Sequence, residues 1–256
     1  MNTNTPSRTQ AERADQTRAR ILDAAVRQFS ASGLAGARTE QIAEEAGVNK
    51  ALLYYYFKSK EDLYAAALEF VFDGVRTSSL ALLEAGASAG ERFLQIVLNH
   101  FDRSYSYPAL QSLMHQEMVR LHRGEEHRME QMAEKFFRPM WVKLEEVLEE
   151  GIASGELIRV DPAQMRYAAL GANLFYFLSA PLTRLAYGTE PLERGELEHR
   201  RRAAIEYLGQ AIFIDREQGT RIAARVMAET PMPETSGFRQ MPQEFRAINT
   251  DKVRHK

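Results

Sequence analysis

Between Thr39 and Phe57 the chain runs TEQIAEEAGVNKALLYYYF, a segment whose spacing leaves few ways to fold. Apolar residues recur at intervals of three and four on both sides of Gly47, the period of a helix. Two helices this short can cross at a fixed angle only where small and branched apolar side chains meet. Ile42, Ala43, Ala46, Val48, Leu53 and Phe57 supply that junction, and Gly47 permits the tight turn between them. Leu53 and Phe57 are four apart and share the buried face, so Asn49, Lys50, Ala51, Tyr54, Tyr55 and Lys58 fall on or beside the opposite one. Three consecutive tyrosines cover most of a helix's circumference and cannot all be buried. A lysine, a small residue and tyrosines near the start of an exposed helix suit the major groove of DNA.

The same period continues along the chain, and no alternation of period two competes with it. A first helix is predicted over Thr17–Ser32, with Ile21, Leu22, Ala25, Val26 and Phe29 inward and Gly33 ending it in a left-handed turn. Thr39, Asn49 and Ser59 are the expected N-caps of the next three helices, Ser59 with Asp62 as its partner. Further helices are predicted ahead of Pro108, over Pro108–His122, over Glu125–Ser154, from Asp161–Pro162 to about Ala180–Pro181, and over Arg200–Ile214. The fold class is therefore all-α. Residues 1–16 are expected as a disordered arm and 215–256 as a mostly disordered tail, with at most one short helix at Gln218–Ala228.

Composition excludes several functions. There is no cysteine, which removes disulfides, thiolate metal sites and cysteine nucleophiles. No apolar run approaches the ~18 residues of a membrane helix, and the N-terminal stretch has no apolar core of a signal peptide. A cytoplasmic protein with no membrane partner is expected. No phosphate-cradling glycine loop, G-x-S-x-G elbow or H-E-x-x-H motif occurs, so neither an enzyme nor a cofactor is expected. His115 and His122 share a helical face, but Glu117 points away from His115 and His127 lies past Gly124. Surface histidines, and no metal, are the expectation. The net charge is −2, yet Arg8, Arg13, Arg18, Arg20, Arg27, Arg38, Lys50, Lys58 and Lys60 gather around the short helices, while Glu145, Glu146, Glu149 and Glu150 lie elsewhere. A basic module on a more acidic body fits a DNA binder with a separate regulatory domain.

Phe29 and Gly33, Thr39, Ile42-Ala43, Ala46-Gly47-Val48, Leu53-Tyr54, Tyr56-Phe57 and Ser59-Lys60 through Leu63 together resemble the DNA-binding domain of the TetR family of transcriptional repressors. The resemblance implies an N-terminal three-helix helix-turn-helix domain, here 17–67, followed by a larger helical ligand-binding and dimerisation domain, here 68–214. It implies that Lys50, Ala51, Tyr54 and Tyr55 approach bases or phosphates and that Thr39, Tyr56 and Lys60 grip the DNA backbone. Asn49 stands where serine is frequent, and Tyr56 where many relatives carry histidine. The implied partners are a double-stranded, near-palindromic operator, a second copy of the chain and an unidentified small-molecule effector. A ligand-released repressor is the expected function, with an activator or a helical enzyme as alternatives. Met114, Met118, Met132, Phe136, Met140, Trp141, Phe175 and Tyr176 are the candidate walls of an adaptable apolar pocket, joined by Met129 and Phe137, with Tyr105, His115, Glu117 and Asn173 as polar contributors. Tyr167, Leu170, Leu174, Phe177, Ala204, Tyr207, Leu208 and Ala211 are the candidate dimer contacts.

Overall fold

The structure, a computed structural model, describes residues 10–125 and 127–234. Its helices are α1 (Gln10–Gly36), α2 (Thr39–Glu45), α3 (Lys50–Tyr56), α4 (Lys60–Leu83), α5 (Ala89–Ser106) and α6 (Pro108–His122). After them come α7 (His127–Met132), α8 (Arg138–Ala153), α9 (Pro162–Tyr187), α10 (Arg194–Ile212) and α11 (Arg216–Glu229). The all-α class holds: the only β-type contact among the described residues is an isolated bridge between Leu157 and Phe213.

These helices pack as two compact units, one of residues 10–75 and 109–132, the other of 76–108 and 133–234. The division departs from the expected boundary at 67/68, because α6 and α7 belong with the helix-turn-helix. In the first unit α1 buries Ile21, Leu22, Ala25, Val26 and Phe29, as its apolar period requires. It begins at Gln10, inside the segment expected to be a disordered arm; the rest of that segment lies outside the described residues. Its regular geometry breaks at Gly33 (φ 69°, ψ 174°), a left-handed backbone that favours glycine. Just ahead of the break, the Ser30 carbonyl accepts from Ser112 Oγ (2.6 Å) and Gln116 Nε2 (3.1 Å), and the Phe29 carbonyl accepts from Gln116 Nε2 (3.2 Å). α6 is thereby fastened to the end of α1. Phe29 meets Tyr64 edge to face, with centroids 4.8 Å apart. The buried Tyr64 hydroxyl donates to the buried Glu117 carboxylate at 2.7 Å, and Arg120 lies 3.6 Å from the same oxygen. Burial first, and then this carboxylate, pushes the Tyr64 phenol well above its ordinary range.

The second unit packs α5, α8, α9, α10 and α11 around Phe93, Val97, Leu144, Leu148, Ile205 and Val226. A buried ion pair pins α10 to α5: Arg201 donates to both oxygens of Asp102 at 2.6 and 2.8 Å, and also to the Thr230 carbonyl. Such a pair satisfies every charge it buries, so removing one partner is far costlier than never having had either.

Two proline expectations need correcting. The predicted helix Glu125–Ser154 is interrupted by a π-helical turn, Ala133–Phe137, because Pro139 lacks an N–H and cannot close the ladder behind it. Conversely, α9 passes through Pro181 and ends only at Tyr187, where Gly188 adopts a left-handed cap (φ 67°). In the tail, whose residues 235–256 lie outside the described residues, the short helix expected at Gln218–Ala228 is α11, Arg216–Glu229, which packs on α10. There Gly209 and Gly219 bring the two backbones together, and a Cβ on Gly219 would strike the Gly209 carbonyl oxygen and come within 2.8 Å of the Phe213 ring. Gly219→Ala is expected to cost ~1–3 kcal/mol by overpacking this crossing. The change would appear as a lower thermal midpoint together with faster proteolysis within α11.

Candidate nucleic-acid interface

α2 ends in a turn in which Val48 N–H reaches the Ala43 carbonyl (2.9 Å) and Gly47 N–H the Glu44 carbonyl (3.0 Å). Gly47 has φ 65°, which makes this a Schellman ending. Asn49 then caps α3, its Oδ1 accepting from Leu52 N–H at 2.7 Å. The turn and the cap fix the angle between α2 and α3, and Leu53, Ile42, Ala43 and Phe57 are buried at their junction. Arg27 of α1 clamps α2 from the other side, bonding Asp23 and Glu45 at 2.5 Å each.

What α3 leaves outward is the expected set. Lys50, Ala51 and Tyr54 are exposed, and Tyr55 is 81% exposed. Tyr56 is half-buried, edge-on to Tyr55 and beside Phe57. Thr39 differs from expectation: it is the first residue of α2 rather than its cap, it is buried, and its hydroxyl lies 3.3 Å from the Tyr54 hydroxyl. Ser59 caps α4 through Asp62 N–H (3.0 Å), and Lys60 beside it donates to the Ala35 carbonyl at 3.1 Å. Sequence reasoning overlooked Glu40, whose carboxylate accepts from the Lys50 ammonium while that ammonium sits 5.8 Å from the Tyr54 ring centroid. This contact holds the Glu40 carboxyl below, and the Lys50 ammonium above, their ordinary ranges. The two residues are ten apart on different helices, so no helical period announces the pair.

The remaining candidates divide between the units. Met114, Met118, Met129 and Met132 lie in the first, where Met129 and Met132 are buried. Phe136 and Met140 are buried in the second. Trp141 is exposed, with the Arg166 guanidinium 4.5 Å from its ring centroid, and Phe175 is 65% exposed, so neither is an enclosed wall. Tyr176 is half-buried and donates to the Pro191 carbonyl. Of the polar contributors, Glu117 is taken by Tyr64, and Asn173 donates to the Val97 carbonyl at 3.0 Å. His122 Nδ1 lies 2.6 Å from the Met118 carbonyl, and no three metal-ligating side chains come together among the described residues.

Of the dimer candidates, Tyr167, Leu174, Tyr207 and Ala211 are exposed, while Leu170 and Leu208 pack into the subunit's own core and Phe177 lies 5.1 Å from Phe101. The outward stripe of α9 instead runs through Tyr167, Leu174, Leu178, Leu182 and Leu185, all on one helical face and all exposed. Among the described residues no helix is long and apolar enough to cross a membrane.

A capped α3 crossing a Schellman-terminated α2, with lysine and tyrosines outward, is the reading head of a helix-turn-helix DNA-binding protein. The profile of bacterial regulatory proteins of the tetR family matches residues 21–67, and that of the tetracyclin repressor-like C-terminal domain residues 91–208. The chain is 31% identical over 170 residues to the HTH-type transcriptional repressor NicS of Pseudomonas putida, covering 66% of this chain and 79% of that protein. It is 57% identical over 53 residues to the regulator RutR of Escherichia coli, 21% of this chain and 25% of RutR. Among solved structures, the transcriptional regulator FadR from Bacillus subtilis in complex with stearoyl-CoA superposes with TM-score 0.57 at 22% identity, covering 74% of this chain and 96% of FadR. A tetR-family regulator from Mesorhizobium loti does so with 0.55 at 21% identity, over 81% of this chain and all of that one. The chain belongs to the tetR family, and it is a DNA-binding transcriptional repressor rather than an enzyme.

Because the Asn49 side chain satisfies an otherwise open N–H at the start of α3, Asn49→Ala is expected to cost ~1 kcal/mol of stability and to weaken DNA binding. Asn49→Ser should restore both, as read by thermal denaturation and gel shift.

Proposed function

We propose that the protein occludes a promoter by binding a near-palindromic operator as a homodimer, and that a small-molecule effector releases it. The observation that carries this reading is the pairing of one exposed reading head per chain with one long apolar stripe on α9. A single helix-turn-helix covers little DNA, and two of them set about one helical turn apart (~34 Å) match a two-fold operator. A stripe of exposed leucines at helical spacing is unfavourable in water and marks a surface meant to be covered. Tyr207 and Ala211 on α10 and Phe175 on α9 are exposed as well, and we assign them to the same interface. Phe136 and Met140 remain the proposed apolar walls of the effector site in the second unit, where a π-helical turn adds the local irregularity common at functional sites. FadR, of the same fold, is described in complex with stearoyl-CoA, which supports an effector with a substantial apolar part.

Release requires that the effector bind more tightly to an arrangement in which the two heads no longer fit the operator. The links we assign are α4, a continuous helix from Lys60 to Leu83, and α6, fastened to the end of α1 by Ser112 and Gln116. Gel shift with the DNA upstream of the protein's own gene is the direct test, and no specific retention by any genomic fragment would count against the reading.

Within it, Lys60→Ala is expected to weaken all operators about equally, by up to about tenfold at moderate salt, since a phosphate contact carries no sequence. Lys50→Ala should also change the preference among half-site variants. If neither substitution altered preference, the reading role of Lys50 would be wrong. Leu182→Glu, on the α9 stripe, should yield monomers in sedimentation while leaving the helix content intact, and should lower operator affinity with it.

A further inference from the structure

The Glu40–Lys50 pair is an anomaly on a DNA-facing surface. A carboxylate there repels every phosphate that approaches, yet it stands in the first turn of α2, directly against the lysine at the start of the reading helix. Both side chains are more than half exposed, so an ion pair between them contributes little to stability by itself. The rest of the cluster shows that its placement is organised. Thr39 Oγ1 lies 3.5 Å from Glu40 Oε2 and 3.3 Å from the Tyr54 hydroxyl, and the Tyr54 ring flanks the Lys50 ammonium. Four side chains from two helices thus hold one carboxylate and one ammonium side by side.

A carboxylate beside an ammonium that can donate twice is the complement of an edge with two acceptors followed by an amino donor. In the major groove a guanine offers two acceptors, N7 and O6, and the cytosine paired with it offers an amino donor, N4. An ammonium carries three donors, so Lys50 can stay bound to Glu40 while donating to guanine. The free lone pairs of Glu40 are then available to the cytosine amino group. We propose that Glu40 and Lys50 act together to read one G·C base pair in each half-site, with Glu40 both accepting from cytosine and positioning Lys50 for guanine. An A·T pair keeps the N7 acceptor but carries an amino donor where guanine has O6 and an acceptor where cytosine has its amino group, so in the same alignment it costs Lys50 one contact and sets Glu40 against an acceptor. A phosphate could draw Lys50 away, but only by bringing its own charge up to Glu40, and non-cognate DNA is disfavoured for that reason.

This proposal rests on the operator-binding reading above, and the test separates the two. The full-length protein, Glu40→Ala, Glu40→Asp and Lys50→Ala would each be used to select duplexes from a randomised pool. Affinity would then be measured for the selected operator and for a scrambled duplex at several salt concentrations, with thermal melting as a check on folding. The wild type should fix a G·C pair at one position of each half-site. Glu40→Ala and Lys50→Ala should both relax that same position, by about tenfold or more. Glu40→Ala should also bind the scrambled duplex about threefold or more tightly, because a charge opposing phosphate is gone. Glu40→Asp, which keeps the charge on a shorter arm, should keep the low affinity for scrambled DNA while losing part of the base preference. The proposal is overturned if Glu40→Ala relaxes no position, relaxes a different one from Lys50→Ala, or weakens operator and scrambled duplex by the same factor. If the wild type selects no sequence at all, the operator-binding reading fails as well.

Discussion

The first unit depends on how α1 stops. At Gly33 the backbone turns left-handed, the ladder is interrupted, and the carbonyls of Phe29 and Ser30 take their donors from side chains more than eighty positions away in sequence. Buried carbonyls are seldom left without a partner, so this break amounts to a demand for another helix. α6 answers it with Ser112 and Gln116, and Glu117 on the same helix takes the Tyr64 hydroxyl of α4. The DNA-reading unit is therefore not a local three-helix module but one closed by a distant segment beside the glycine that kinks α1. Anything that moves α6 must either break these bonds or carry α1 with it.

The reading head itself is held by local chemistry, and this explains what could be read from the sequence. The caps at Asn49, Ser59 and Asp161, the proline starts at Pro108 and Pro162, and the left-handed Gly47 each involve groups within a few residues of one another. Such bonds are written in short words. The all-α class and the outward set Lys50, Ala51, Tyr54 and Tyr55 follow from the same local period. Thr39 is not the cap its local sequence suggests, because its hydroxyl has a distant competitor, the Tyr54 hydroxyl on the next helix. Pro139 and Pro181 look alike in sequence. One forces a π-helical turn and the other is absorbed, and only the packing around each decides which. The apolar stripe of α9 is partly out of phase with the one its sequence suggests: Leu170 is inward, Leu178 and Leu182 outward, and on α10 Leu208 likewise turns inward. A helix apolar on two faces does not say which face meets its own core.

Glu40 was missed for a related reason. An acidic residue in the first turn of a helix has a sufficient local explanation, since it suits the positive end of the helix dipole. Its partnership with Lys50 becomes visible only once the turn at Gly47 has folded α3 back across α2. The same turn that sets the crossing angle therefore also builds the charged pair, and the fold and the recognition chemistry share a single hinge.

In the proposed dimer, two-fold symmetry changes the weight of such a pair. A discrimination of ~1.4 kcal/mol is about tenfold at one head, and because the two half-sites contribute additively, the same preference is about a hundredfold for the dimer. Phosphate contacts double as well, but they double on every sequence alike and raise the affinity for non-cognate DNA along with the rest. A carboxylate that subtracts from the phosphate attraction while adding to base preference therefore gains more from dimerisation than another lysine would. The exposed stripe on α9 and the acidic residue on the reading face, far apart in sequence, are on this argument parts of one solution. In the proposed dimer the stripe couples two heads, and the coupling turns a modest local preference into selection of one site among many.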